Sequence, residues 1–227
     1  MPSVLITGAN RGLGLEFAKQ YARDGYRVFA TTRRSEPALA ALHKQYDNLS
    51  IHALEVSDAK SVGALAAELK REPIDVLINN AGTMGPKAQS FGNLDYEGFL
   101  ETLQINALAP LRIAEAFVEN VVKSERKLIV AITSGMGSIS DSSGGSYAYR
   151  ASKAALNMSF HNLGLDLKSR GVIAVVINPG WVQTDMGGKN APTKVEDSIA
   201  AMRRVFDSLT LADSGSFKNY RGGDYAW

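Results

Sequence analysis

Cysteine is absent from the 227 residues, which excludes disulfides, thiol nucleophiles and cysteine-ligated zinc or iron–sulfur centres. Histidine is scarce. His43, His52 and His161 stand far apart, so a metal site would have to be built from carboxylates, and none is expected. A surplus of one charge sign is also missing: 25 basic side chains face 23 acidic ones, a net charge of +2. That is too little to create a general field for nucleic acid or an anionic membrane. No apolar run approaches the roughly 18 residues of a membrane span. The longest strong run is Val172–Ile177. The opening MPSVLITG has neither the charged nor the apolar region of a secretory leader, so Asn48-Leu49-Ser50 is not expected to be glycosylated. These absences point to a cytoplasmic protein. A 45% hydrophobic content suffices for one full core, with residues 1–227 forming a single domain.

What is present is alternation. Short β-branched runs at Val4–Thr7, Arg27–Thr31, Ser50–Leu54, Ile74–Asn79, Lys127–Thr133 and Val172–Ile177 predict strands, and several are nearly all apolar, which fits burial on both faces of a parallel sheet. Helix-length segments separate them: Gly12–Asp24, Glu36–Tyr46, Asp58–Lys70, Tyr96–Lys123 and Tyr147–Arg170, with Val195–Leu209 following the last strand. Gly25 and Gly171 sit where a left-handed residue ends a helix, and Ser57 or Asp58 offers an N-cap. Pro110 predicts a kink or break inside Tyr96–Lys123. Regular β-α alternation argues for a doubly wound α/β fold.

The first strand runs into Thr7-Gly8-Ala9-Asn10-Arg11-Gly12-Leu13-Gly14, and a helix follows. Glycines in a strand-to-helix turn permit positive φ and close approach of the backbone to a ligand. The free N–H groups at the start of the helix then suit a pyrophosphate. The spacing, G-x3-G-x-G, differs from the commoner G-x-G-x-x-G dinucleotide fingerprint.

This turn resembles the cofactor turn of the short-chain dehydrogenase/reductase family, and further elements follow in the family's order. They are Asn79-Asn80-Ala81-Gly82 after the fourth strand, Asn106 in mid-helix, Ser134 closing the fifth strand, Tyr149-x3-Lys153 at a helix start, and Asn178-Pro179-Gly180 with Thr184 beyond. TGANRGLG, SGMGSI and the short C-terminal region look most like the sniffer-type carbonyl reductases and bacterial C-factor-like proteins. The resemblance implies a Rossmann-like doubly wound parallel sheet of about seven strands with helices on both faces. It implies a cofactor held by Gly8, Asn10, Arg11, Gly12, Leu13 and Gly14, by Asn80, Ala81 and Gly82, and by Pro179, Gly180, Val182 and Thr184, with Tyr149 and Lys153 at the reactive end. Glu55-Val56 stands where relatives show Asp-Val against the adenine. Helices Tyr96–Lys123 and Tyr147–Arg170 lie where relatives pair, which implies a homodimer or homotetramer, with Ala155, Met158, Phe160 and Leu163 as the apolar surface.

In dinucleotide folds, an acid about 20 residues past the glycine turn takes the ribose 2′-hydroxyl of NAD, while an arginine there accommodates the 2′-phosphate of NADP. This chain reads Thr31-Thr32-Arg33-Arg34 at that place, with Glu36 too far along and better read as a helix residue. Arg11 adds a further cation, and guanidinium groups bind phosphate through paired, charge-assisted hydrogen bonds. The expected cofactor is NADP rather than NAD.

Tyr149 and Lys153 share a helix face. A phenol near pKa 10 is a poor acid–base group at neutral pH, and a neighbouring ammonium is expected to lower it. Ser134 is suited to hold a carbonyl oxygen. The resemblance implies that Asn106 links Lys153 to a proton-carrying water chain. Tyr147 has Ala151 rather than lysine four residues on, so it belongs to the pocket wall or the surface. Trp181 and Met186 could line a shallow, open substrate pocket. The expected activity is reversible, NADP-dependent hydride transfer to a small-molecule ketone or aldehyde, with no nucleic-acid or membrane partner. The alternative is a cofactor-binding regulatory or signalling protein with little turnover.

Overall fold

The structure is a computed structural model that describes residues 1–34 and 36–227. Seven parallel strands form its central sheet: β1 (Ser3–Ile6), β2 (Arg27–Thr32), β3 (Leu49–Ala53), β4 (Val76–Asn79), β7 (Leu128–Ile132), β8 (Ile173–Asn178) and β9 (Phe217–Asn219), in the order β3-β2-β1-β4-β7-β8-β9. Two short strands, β5 (Gln89–Ser90) and β6 (Asn93–Leu94), pair as a separate antiparallel hairpin. The six strands placed from the apolar runs agree to within two residues.

Alternate strand residues feed two cores, as a period of two requires when both faces are covered. Val4, Ile6, Val28, Ile78, Val130 and Val175 pack against α1 (Gly12–Arg23), α2 (Pro37–Gln45) and α7 (Val195–Ser208). Leu5, Phe29, Leu77, Ile129 and Val176 pack on the other face against α3 (Ala59–Glu68), α5 (Ala109–Val122) and α6 (Tyr147–Asp166). Helices on both faces of a parallel sheet make this a doubly wound, Rossmann-like fold.

The helix limits follow local chemistry. Asp58 caps α3 by accepting from the Lys60 and Ser61 N–H groups, and Gly25 and Gly171 take left-handed conformations just past helix ends. The expected break at Pro110 is real and falls one turn earlier. Helix α4 (Tyr96–Leu103) passes into a π-helical turn, Gln104–Leu108, before α5 begins. Pro110 has no N–H to give the carbonyl of Asn106 four residues back, so regular α-helix cannot run through this point. Asn48 is structural: its amide donates to the Ala22 and Tyr26 carbonyls.

The chain leaves β1 for β2 and β3 on one side and returns to β4 on the other. Connections therefore diverge beyond the C-terminal ends of β1 and β4, which opens a crevice where ligands bind in such sheets.

Candidate active site

The glycine turn follows β1 directly. Gly8 and Gly12 adopt positive φ, and α1 starts at Gly12 with no side chain capping its first turn. Its leading N–H groups therefore face the crevice unpaired by a cap. Gly14 lies behind them, where a Cβ would come 2.2 Å from the Gly8 carbonyl oxygen and 2.5 Å from Asn80 Nδ2. Asn80 ties the turn to β4: its amide donates to the carbonyls of Thr7 and Gly8 at 2.9 and 3.0 Å. Thr7 Oγ1 in turn accepts from the Asn80 and Ala81 N–H groups. An anionic diphosphate fits this open, uncapped turn.

A cavity of about 1240 Å³ runs from this turn along the strand ends. Of the residues implied for cofactor binding, Gly8, Asn10, Arg11, Gly12, Leu13, Arg33, Glu55, Val56, Asn80, Ala81, Gly82, Tyr149, Lys153, Pro179, Gly180, Val182 and Thr184 line it. Gly14 does not, because its part is the close packing beneath the turn. Arg34 and Glu36 join Arg33 at the end of β2, so Glu36, read as a helix residue, is the N-cap of α2 and faces the cavity.

Of the three cations at this end, Arg11 and Arg33 are each held by a carboxylate. Arg11 Nη1 lies 2.8 Å from Asp185 Oδ2, and Arg33 Nη1 lies 3.4 Å from Glu55 Oε2. Glu55 uses the extra reach of glutamate to accept from the Ser57 N–H and hydroxyl as well. Those hydrogen bonds and Arg33 hold its carboxyl below its ordinary value against the opposing effect of burial.

At the other end, α6 presents Tyr149 and Lys153, both buried, beside Ser134 at the close of β7. Ser134 Oγ accepts the Met136 N–H at 3.1 Å, which leaves its hydrogen free to donate. Burial pushes the Tyr149 phenol above its ordinary value, while hydrogen bonding with Ser134 pulls the other way. Lys153, expected to lower that phenol, lies one helical turn further along α6. The Lys153 ammonium donates to the Ile132 carbonyl at 2.8 Å and sits 5.8 Å from the centre of the Tyr149 ring. Burial brings Lys153 itself down to about 8.

Asn106 stands behind this end of the cavity, with its Oδ1 and the Lys153 Nζ both close to Gly82. Its side chain is buried outside the cavity lining, with Nδ2 donating to the Thr83 carbonyl and Ser152 Oγ and Oδ1 accepting the Thr83 N–H. Among the described residues it makes no side-chain hydrogen bond with Lys153. It positions the Gly82–Met84 wall. Thr184 Oγ1 accepts the Gly187 N–H, shaping the loop after β8. Tyr147 lies at the surface, away from the cavity. Of the apolar residues expected to mediate pairing, Phe160 belongs to the core, Ala155 and Leu163 pack against it, and Met158 is exposed.

Several lining residues went unforeseen. Met84 and Thr83 are carried by the Asn106 clamp, Asp141 and Ser143 lie in the loop before α6, and Tyr225 arrives after β9. Gln89, in the hairpin, accepts the Tyr149 N–H at 2.9 Å and so caps α6 at the reactive residue. The histidines serve structure: His43 bonds the Leu49 carbonyl, His52 bonds Ser50 and Glu68, and His161 bonds the Gly215 carbonyl. No group of three or more metal-ligating side chains occurs among the described residues. Nor is any described helix long and apolar enough to cross a membrane.

A family model described as short chain dehydrogenase matches residues 2–195, and the chain belongs to that oxidoreductase family. Among individual relatives, the C-signal protein of Myxococcus xanthus is 42% identical over 165 residues, covering 72% of this chain and 99% of that protein. Two solved structures superpose over 100% of this chain, each with a TM-score of 0.92. Carbonyl reductase Sniffer of D. melanogaster is 34% identical and covered over its whole length. The NADPH-bound carbonyl reductase from chicken fatty liver is 35% identical and 99% covered.

Proposed function

We propose that this chain is an NADPH-dependent reductase of ketones or aldehydes in which Tyr149 is the general acid. The observation that carries this reading is one cavity with arginines at one end and Ser134, Tyr149 and Lys153 at the other. NADPH, when bound, supplies the hydride. The chain's own residues supply the rest. The turn from Gly8 to Gly12 and the start of α1 hold the diphosphate, and Arg11, Arg33 and Arg34 favour a 2′-phosphate. The free Ser134 hydrogen holds the carbonyl oxygen where negative charge develops. Tyr149 gives that oxygen its proton. A phenol kept above its ordinary value by burial stays protonated through neutral pH, the form that can give a proton to the carbonyl oxygen. Lys153, charged below about pH 8, favours departure of the proton by stabilising the negative charge left on the phenolic oxygen.

The test is loss of NADPH absorbance with a panel of ketones, aldehydes and quinones, run beside NADH and a Tyr149→Phe variant. Turnover with NADPH, slower with NADH and lost in the variant, supports the reading. Activity that survives in Tyr149→Phe assigns the proton to another group.

The likeness to C-signal favours a second reading, a regulatory or signalling protein that keeps the nucleotide site. NADPH binding without reduction of any panel member would select it.

A further inference from the structure

The substrate end of the cavity carries a carboxylate that the proposed chemistry does not use. Asp141 stands in the loop between β7 and α6, and lines the cavity with Trp181, Met84, Met136, Met186 and Tyr225. Among the described residues it forms no ion pair. Arg150 lines the same cavity and keeps its charge, with its guanidinium turned onto uncharged acceptors. Its guanidinium donates to the Gly144 carbonyl at 3.1 Å, to Ser143 Oγ at 2.9 Å and to the Met136 carbonyl at 3.5 Å.

Asp141 is also held in place. Tyr225 donates its hydroxyl to Asp141 Oδ2 at 3.1 Å, and the Asp141 N–H donates to Ser138 Oγ at 3.2 Å. Tyr225 is fixed by stacking on Phe217, with ring centres 4.8 Å apart, and by its N–H on the Phe217 carbonyl at 2.7 Å. The backbone oxygen of Trp227 accepts from the Ser140 N–H and from the hydroxyls of Ser138 and Ser140, so the segment after β9 and the Asp141 loop are joined. Gly135, next to Ser134, makes room: a Cβ there would lie 2.5 Å from the Tyr225 hydroxyl. This joint places a phenol and a carboxylate beside the residue proposed to hold the substrate oxygen.

The wall beside Asp141 includes the aromatic rings of Trp181 and Tyr225 and the thioethers of Met84, Met136 and Met186, surfaces that accept a planar apolar body and, at the rings, attract cations. We propose that Asp141, oriented by Tyr225, sets substrate specificity: the pocket selects apolar or aromatic carbonyl compounds bearing a cationic group away from the carbonyl, and rejects anionic ones. This rests on the carbonyl-reductase reading above and names the substrate class of the same site.

The test uses three aryl methyl ketones of one scaffold, carrying a para tert-butyl group, the trimethylammonium group of the same shape, or a carboxylate. Their affinities for the NADP-loaded protein are measured by calorimetry at low salt, and kcat/KM is measured alongside. The cationic ketone should bind about five- to tenfold tighter than the anionic one, as expected for one partly exposed charge, with the gap narrowing as salt is added. Asp141→Asn keeps an acceptor for Tyr225 and should bring the two affinities together. Asp141→Lys should reverse their order. Equal affinities in the wild type, or a preference that survives in Asp141→Asn, would overturn the proposal. Because binding is read without turnover, failure to oxidise NADPH overturns the reductase reading, whereas equal affinities overturn only this one.

Discussion

The two ends of the cavity are built differently. At the glycine turn, recognition belongs to backbone: Gly14 packs where no side chain fits, and Asn80 bonds the carbonyls of Thr7 and Gly8. At the substrate end, recognition belongs to side chains: Trp181, Met84 and Met186 are 59%, 39% and 46% exposed. Backbone contacts leave almost no choice of residue, while an exposed rim can change its side chains without disturbing the sheet. A family can therefore keep one nucleotide site and alter its substrates on the same scaffold.

Tyr149→Phe would sharpen this division most. It removes the proton donor while keeping the ring, so kcat should fall by about 10²- to 10⁴-fold, with NADPH binding retained in a fluorescence titration. Loss of both together would mean the two ends are not separable.

Gly14→Ala comes next. Its Cβ would strike the Gly8 carbonyl, a backbone atom that cannot yield, and about 3 kcal/mol of stability should be lost. Thermal denaturation should show a fall of about 10 °C. An unchanged melting temperature would show that the turn has slack after all.

Arg33→Ala tests the nucleotide end by function rather than fold. Arg33 is exposed and its pairing with Glu55 is long, so the fold should hold. The KM for NADPH should rise by about tenfold while that for NADH changes little, since only NADPH carries the 2′-phosphate.

Lys153 supplies a pH test. Burial sets it at about 8, below the 10.5 of free lysine, so between those values the folded chain holds fewer protons than the unfolded one. Its contribution to unfolding free energy therefore rises with pH across that window. Tyr149, raised above 10.0, opposes this only beyond pH 10. Urea unfolding at about pH 8 and about pH 9.5 should show the wild type gaining stability relative to Lys153→Met. The smallest effect is expected for Met186→Ala at the rim, with stability changed by no more than about 0.5 kcal/mol. A large loss there would break the comparison.

Much of this was legible in the sequence because the signals are local. Six strands are apolar runs, and the glycine turn, Tyr149 and Lys153 are short patterns. Strand β9 was not placed because three residues, only Phe217 of them apolar, carry no period. Tyr225 reaches the pocket only because β9 pairs with β8, about 40 residues away in sequence, a pairing no spacing reveals. The Arg11–Asp185 pair spans 174 residues. Asn106 was found by position, whereas its partners Thr83 and Ser152 were not, because the π-helical turn and α6 set them.

The central place of β1 has a kinetic consequence. Ser3 donates its N–H to the buried Asp75 carboxylate at 2.8 Å, and the turn after β1 is completed by Asn80. Both partners follow some 70 residues later, so the nucleotide turn cannot order on its own however early it is synthesised. Contacts this distant in sequence form slowly. Cofactor affinity should appear late in refolding, with the closure of β4 against β1, and excess NADPH should stabilise only chains that have passed that step.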